Sequence, residues 1–207
     1  MASFEAHSVL KPASMPAPKI LVFAGSVRTG SMNAQLAALA AKEFALAGAD
    51  TTRISLLDFP MPLYDGDLEN RSGPPEAAIM LKKMMQQHQG IFIASPEYNA
   101  SVTPLLKNTI DWVSRVREGR EPPLAAYKDR AFAISGASNG NYGAMRSLLA
   151  LRQVLETGCG ALVIPDQIAV SRAADAFDEM DNFKDEANTK RLQGVVQSLI
   201  QFASHYT

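Results

Sequence analysis

The chain has 207 residues, 47% of them hydrophobic, enough to bury a full core within one domain. Its formal net charge of −1 gives no reason to expect nucleic acid or an acidic membrane surface as a partner. A single cysteine, Cys159, excludes an internal disulfide and points to a reducing, cytoplasmic setting. No apolar run approaches the ~18–20 residues that a membrane span needs.

Residues 1–18 contain Lys11 and three prolines (Pro12, Pro16, Pro18) and lack the continuous apolar block of a secretory signal. They read as a mobile leader ahead of one domain over 19–207. Lys19 to Ala24 reads as a buried strand. Ser31 to Leu46 carries Met32, Leu36, Leu39 and Phe44 among alanines, a helix closed by Gly48. Thr51 to Leu57 is a β-branched second strand, and Asp58 to Pro75 a long connection broken by proline and glycine. Glu76 to Gln89 is a helix, and Gly90 to Ser95 holds the third strand. Val102 to Arg117 is a helix that tolerates Pro104 in its first turn. A fourth strand near Arg130 to Ser135 leads into the glycine-rich loop Gly136 to Gly143. Met145 to Thr157 is a helix, apolar around much of its circumference, which asks for burial on more than one side. Ala161 to Val170 is a fifth strand, and Thr189 to His205 a last helix.

Strands alternating with helices predict an α/β fold, a five-stranded parallel sheet covered on both faces. With strand order 2-1-3-4-5, the loops after strands 1, 3 and 4 lie together where the order reverses, and ligands of such sheets bind there. The three loops are Gly25–Asn33, Ser95–Ser101 and Ser135–Gly143, the small-polar and glycine-rich loops of the chain.

The first of them, Gly25-Ser26-Val27-Arg28-Thr29-Gly30-Ser31-Met32-Asn33, turns a strand into a helix start. Backbone N–H groups and the helix dipole favour an anion there, and Arg28 adds a full charge. Ser31 or Asn33 acting only as a helix cap is the plain alternative. A P-loop would need lysine where Ser31 stands, and a dinucleotide turn would need glycine where Val27 stands. A terminal monophosphate fits better than either. In the second loop, Pro96 stiffens the chain, Tyr98 offers a ring, Asn99 can read polar edges, and Glu97 is either a base or a brace. The glycines of the third loop let backbone approach a ligand. His7, His88 and His205 lie away from this cleft, no residues have metal-ligand spacing, and Cys159 reads as structural. A site with phosphate donors and no acid–base constellation suits a cofactor that carries the chemistry itself.

Three segments, Gly25-Ser26-x-Arg28-x-x-Ser31-x-Asn33, Ser95-Pro96-Glu97-Tyr98-Asn99 and Lys107-Asn108-x-Ile110-Asp111-Trp112, resemble the NADPH-dependent FMN reductase family, which includes flavodoxin-like quinone, chromate and azo-compound reductases. Pro62-Leu63-Tyr64-Asp65-x-Asp67-Leu68-Glu69 is similar to a further family segment, and the resemblance runs from about Lys19 to Pro165. It implies a flavodoxin-like three-layer sandwich and non-covalently bound FMN. Ser26, Arg28, Ser31, Met32 and Asn33 would hold its phosphate and ribityl chain. Pro96, Glu97, Tyr98 and Asn99 would lie along the isoalloxazine, with Ser135 and Gly136 closing the third side. It further implies ping-pong hydride transfer from NADPH or NADH to a small-molecule acceptor such as a quinone, free flavin or chromate. Family members are commonly homodimers or homotetramers, with the helix after Pro104 and the long connection at the interface. An electron carrier without nicotinamide turnover and a flavin-bound sensor stay open beside the enzyme. Arg28, Arg115, Arg117 and Arg120, expected near the cleft, weigh against the acidic surface of a carrier.

Overall fold

The computed structural model describes residues 16–207, so most of the expected leader lies outside the described residues. Pro18, its last residue, is buried and its carbonyl accepts from the Asp50 N–H at 3.1 Å. β1 (Lys19–Ala24) is buried from Ile20 onward. It turns into α1 (Met32–Leu46), where the Ser31 hydroxyl accepts from the Ala34 N–H at 3.4 Å and Gly48 turns the chain out at φ 87°. β2 (Asp50–Arg53) is shorter than the predicted strand. Its four residues pair with Lys19–Val22, after which the Ser55 hydroxyl accepts from the Leu57 N–H and winds Leu56–Asp58 into a single 3-10 turn.

The long connection is partly helical. Asp65 caps α2 (Gly66–Ser72) by accepting from the Asp67 N–H at 2.8 Å, a start signal obscured by the glycines at 66 and 73. Then follow α3 (Glu76–Gln86), β3 (Gly90–Ala94), α4 (Pro104–Arg115), β4 (Ala131–Ala137) and α5 (Met145–Gln153), which runs on into a π-turn at Val154–Gly158. The predicted fifth strand is broken into β5 (Leu162–Val163) and β6 (Ile168–Val170) around Pro165, which has no N–H to give a ladder. A short α6 (Ala173–Ala176) precedes α7 (Glu186–Ala203), capped by Asp185.

The sheet is parallel throughout, in the order β2-β1-β3-β4-β5, with β6 also paired to β4. This is the flavodoxin-like order that the family resemblance implies. Strand alternation builds a core on each face. Ile20, Val22, Phe92 and Ala133 face α1 and α7, while Leu21, Phe23, Ile91, Ile93 and Phe132 face α3, α4 and α5. Charge also enters this packing, at Lys82 and at Arg130, whose guanidinium donates to the Met85, His88 and Ala125 carbonyls. Lys82 is buried and pairs with Glu121, which also accepts from Gln86 Nε2 at 3.2 Å, so the segment after α4 is tied to α3. The Lys82 ammonium holds the Glu121 carboxyl below its usual range.

Register decides where the loops emerge. Ala24, Ala94 and Ser135 are aligned across β1, β3 and β4, so the chain leaves the first two strands at one level. β4 runs on for two more residues because β6 pairs with Ser135, Gly136 and Ala137.

Candidate functional site

A cleft of about 310 Å³ opens over these strand ends. Ser26, Arg28, Ser31, Met32 and Asn33 line it from the loop after β1, and Pro96, Glu97 and Tyr98 from the loop after β3. The third side is Ala137, Ser138, Asn139 and Gly140. The loops after strands 1, 3 and 4 therefore meet, as the strand order requires.

The three loops are tied to one another pairwise. The Thr103 hydroxyl, which caps α4 through the Leu106 N–H, donates to the Gly25 carbonyl at 2.7 Å and joins the second loop to the first. Asn33 joins the first to the third: its amide nitrogen donates to the Ala137 carbonyl at 2.8 Å, and its oxygen accepts from the Ala137 N–H at 2.9 Å. The second and third meet at the start of α5. There the Ser147 hydroxyl donates to the Pro96 carbonyl at 2.8 Å, and Glu97 accepts from the N–H groups of Arg146 and Ser147 at 3.1 and 3.4 Å. Arg146 Nε adds a bond to Glu97 at 2.7 Å. Ala144, at the N-cap of α5, offers no side-chain oxygen, so Glu97 does the capping from another strand's loop.

Several expected roles change in this geometry. Ser135 and Gly136 are strand residues of β4, buried, and do not line the cleft; the chain reaches it two to five positions later. The cause is the extension of β4 by β6. Gly136 is needed for packing instead, because a Cβ there would stand 2.8 Å from the Ser95 carbonyl and 2.9 Å from Ala144 Cβ. The Asn33 amide is fully spent on Ala137, which leaves its N–H group at the helix start as its free contribution. Asn99 lies just beyond the lining. It forms, with Ala100, a tight turn in which both residues have positive φ (49° and 63°), closed by reciprocal Tyr98–Ser101 bonds of 3.0 Å. Glu97 is a brace, with its carboxylate committed to α5.

Arg28 is differently placed. It makes only long bonds, of 3.5 and 3.3 Å, to the Thr29 and Gly30 carbonyls. Sequence reasoning missed Thr103, Arg146 and Ser147. A Thr-Pro pair at a helix start signals the first, but nothing local marks the other two. It also misplaced two arginines. Arg115 and Arg117 line a separate, larger hollow of about 440 Å³ between α4 and the π-turn, with Cys159 in its wall. Burial pushes the Cys159 thiol up to about 11, which leaves it unreactive, and burial lowers His88. Lys107-Asn108-x-Ile110-Asp111-Trp112 serves the long connection: Asn108 Nδ2 and Trp112 Nε1 both donate to the Pro62 carbonyl, at 2.9 and 2.7 Å. Among the described residues no cluster of His, Cys, Asp and Glu could hold a metal ion, and no helix is long and apolar enough to cross a membrane.

Residues 18–175 match the model of the NADPH-dependent FMN reductase family. The chain belongs to that family. It is 31% identical over 182 residues to an NAD(P)H-dependent FMN reductase of Pseudomonas aeruginosa, covering 87% of this chain and 92% of the relative. It is 36% identical over 138 residues to a quinone reductase of Escherichia coli, covering 66% and 69%. Among solved structures it is similar to FerB, the flavoenzyme NAD(P)H:(acceptor) oxidoreductase from Paracoccus denitrificans. The TM-score is 0.76 and the identity 25%, over 92% of this chain and 99% of that one.

The donors in the cleft fit the FMN of this family. The Ser26 and Ser31 hydroxyls, the N–H groups of the first turn of α1 and the Arg28 guanidinium match a dianionic phosphate. The carboxylate in the lining, Glu97, is paired with Arg146, which offsets its charge toward a bound anion. Pro96 and Tyr98 give a wall against which a flat ring can lie.

Proposed function

We propose that this FMN-dependent NAD(P)H oxidoreductase holds its flavin in the cleft at the ends of β1, β3 and β4 and passes the electrons to quinones or similar small acceptors. The observation that carries the reading is the pairwise tying of three loops around one cleft, with a guanidinium left uncommitted to any carboxylate on one side. The family membership supports the cofactor, and the quinone reductases among the relatives support the acceptor class.

Bound FMN supplies hydride acceptance from the nicotinamide and delivery of electrons to a second substrate. The chain's own part is binding and orientation. Ser26, Arg28, Ser31 and the N–H groups of Met32 and Asn33 hold the phosphate. Pro96 and Tyr98 bound the ring, with Asn99 shaping the turn beside it. Ala137–Gly140 close the third side in place of Ser135 and Gly136. Residues 19–207 act as one flavin-binding domain, working in the cytoplasm as a homodimer or homotetramer.

Steady-state oxidation of NADPH and NADH by the FMN-loaded protein tests this, with quinone, free flavin and chromate as acceptors. Turnover with quinone is the expected result. A yellow protein that turns over no acceptor with either nicotinamide would reduce the reading to flavin binding alone.

A further inference from the structure

Glu97 and Arg146 form an ion pair on the wall of the cleft whose two members are unequally exposed. The Glu97 side chain is 7% exposed and that of Arg146 56%. Bracing seats the carboxylate against the first turn of α5, and the unequal exposure that results has an electrostatic consequence of its own. A charge held away from water acts at longer range than one that solvent screens. The carboxylate therefore projects a negative potential into the cleft. It is offset by a half-exposed guanidinium and by the partial positive charge of two first-turn N–H groups of α5. Reduced flavin carries more electron density than oxidised flavin, so the wall does not treat the two forms alike.

We infer that Glu97 and Arg146 set the reduction potential of the bound flavin, with opposite signs. The inference rests on the flavin site proposed above. Glu97 disfavours the reduced form and Arg146 relieves that effect; together they hold the cleft near electrical balance. Holding the loop in shape is a separate role, and it predicts something else. Removing either partner would loosen the same loop, so a purely structural pair would shift the potential the same way in both variants or not at all.

The experiment measures FMN affinity by titration of the apoprotein, and midpoint potential by spectroelectrochemistry of the FMN-loaded protein. It uses wild type, Glu97→Gln, Arg146→Met, Arg146→Lys and the Glu97→Gln/Arg146→Met double variant. Glu97→Gln is expected to raise the potential and Arg146→Met to lower it. Each shift should correspond to roughly a three- to tenfold change in the ratio of affinities for the two flavin forms, tenfold being about 30 mV for a two-electron couple. The double variant should return toward wild type, and Arg146→Lys, which keeps the charge, should stay near it. Shifts of one sign in both single variants, or none, overturn the inference while leaving the flavin site standing. Should Glu97→Gln not fold, the Met and Lys variants at 146 still decide, because only Met should lower the potential. A wild-type apoprotein that takes up no FMN would instead overturn the site assignment beneath it.

Discussion

The cleft at the strand ends and the hollow between α4 and the π-turn differ in more than size. The hollow is the larger, at about 440 Å³ against 310 Å³. There Lys107 bonds Asp111 at 2.7 Å and the Arg115 guanidinium lies over the Tyr64 ring, and the lining comes from α4, the segment after it and the π-turn. The cleft is smaller, but its lining comes from loops far apart in sequence that bond to one another, and Arg28 is left with only weak bonds. Volume alone would favour the hollow, and the reading proposed above rests on the lining instead. What distinguishes a site for a charged, flat ligand is a set of donors held in position but not used up.

The comparison can be broken at its strongest tie. Asn33→Ala leaves the buried N–H and carbonyl of Ala137 without their partners, and each such group costs about 1–3 kcal/mol. Urea unfolding of the apoprotein should show a loss of about 2–4 kcal/mol. A loss below ~0.5 kcal/mol would mean that the first and third loops are not held together by this residue. In the hollow, the expected effect is on reactivity. With its thiol raised from 9.0 to about 11, folded Cys159 should be alkylated by iodoacetamide at pH 8 roughly a hundredfold more slowly than in urea. Equal rates would make the hollow a reactive site after all. Arg28→Ala should weaken FMN binding about tenfold or more with little change in stability, read by titration of the apoprotein. Unchanged affinity would remove the phosphate from this loop. The smallest effect sharpens the contrast: Arg117→Ala, on the hollow, should leave FMN affinity within about twofold of wild type.

Local chemistry made most of the framework legible. β1, α1 and β3 follow from apolar runs, the Ser31 cap and Gly48; handed crossovers between alternating elements require one reversal of strand order, and the family resemblance selects 2-1-3-4-5. The first two loops line the cleft where they were expected to, apart from Asn99, because their side chains lie within a few residues of a strand end. The third was misread at Ser135 and Gly136. Where β4 stops depends on β6, more than thirty residues away and hidden in what looked like one fifth strand. Glu97 illustrates a second limit. Its sequence context allows base or brace, and only the missing cap of α5, a tertiary circumstance, decides between them. Lys82 is a third case, a cation on the inward side of α3 that no periodicity announces and that Glu121 makes tolerable.

Pro165 does more than split a strand. An open parallel sheet ends in two rows of unsatisfied backbone groups, a template on which other chains can pair. Here one edge is β2, four residues long and bounded by Asp50 and Arg53, and the other is made of the two-residue β5 and the three-residue β6, separated by the proline. Neither offers a flat run long enough to recruit a neighbour. Edges that cannot zip up with one another keep local openings of the sheet reversible, so that the protein stays dispersed at high concentration.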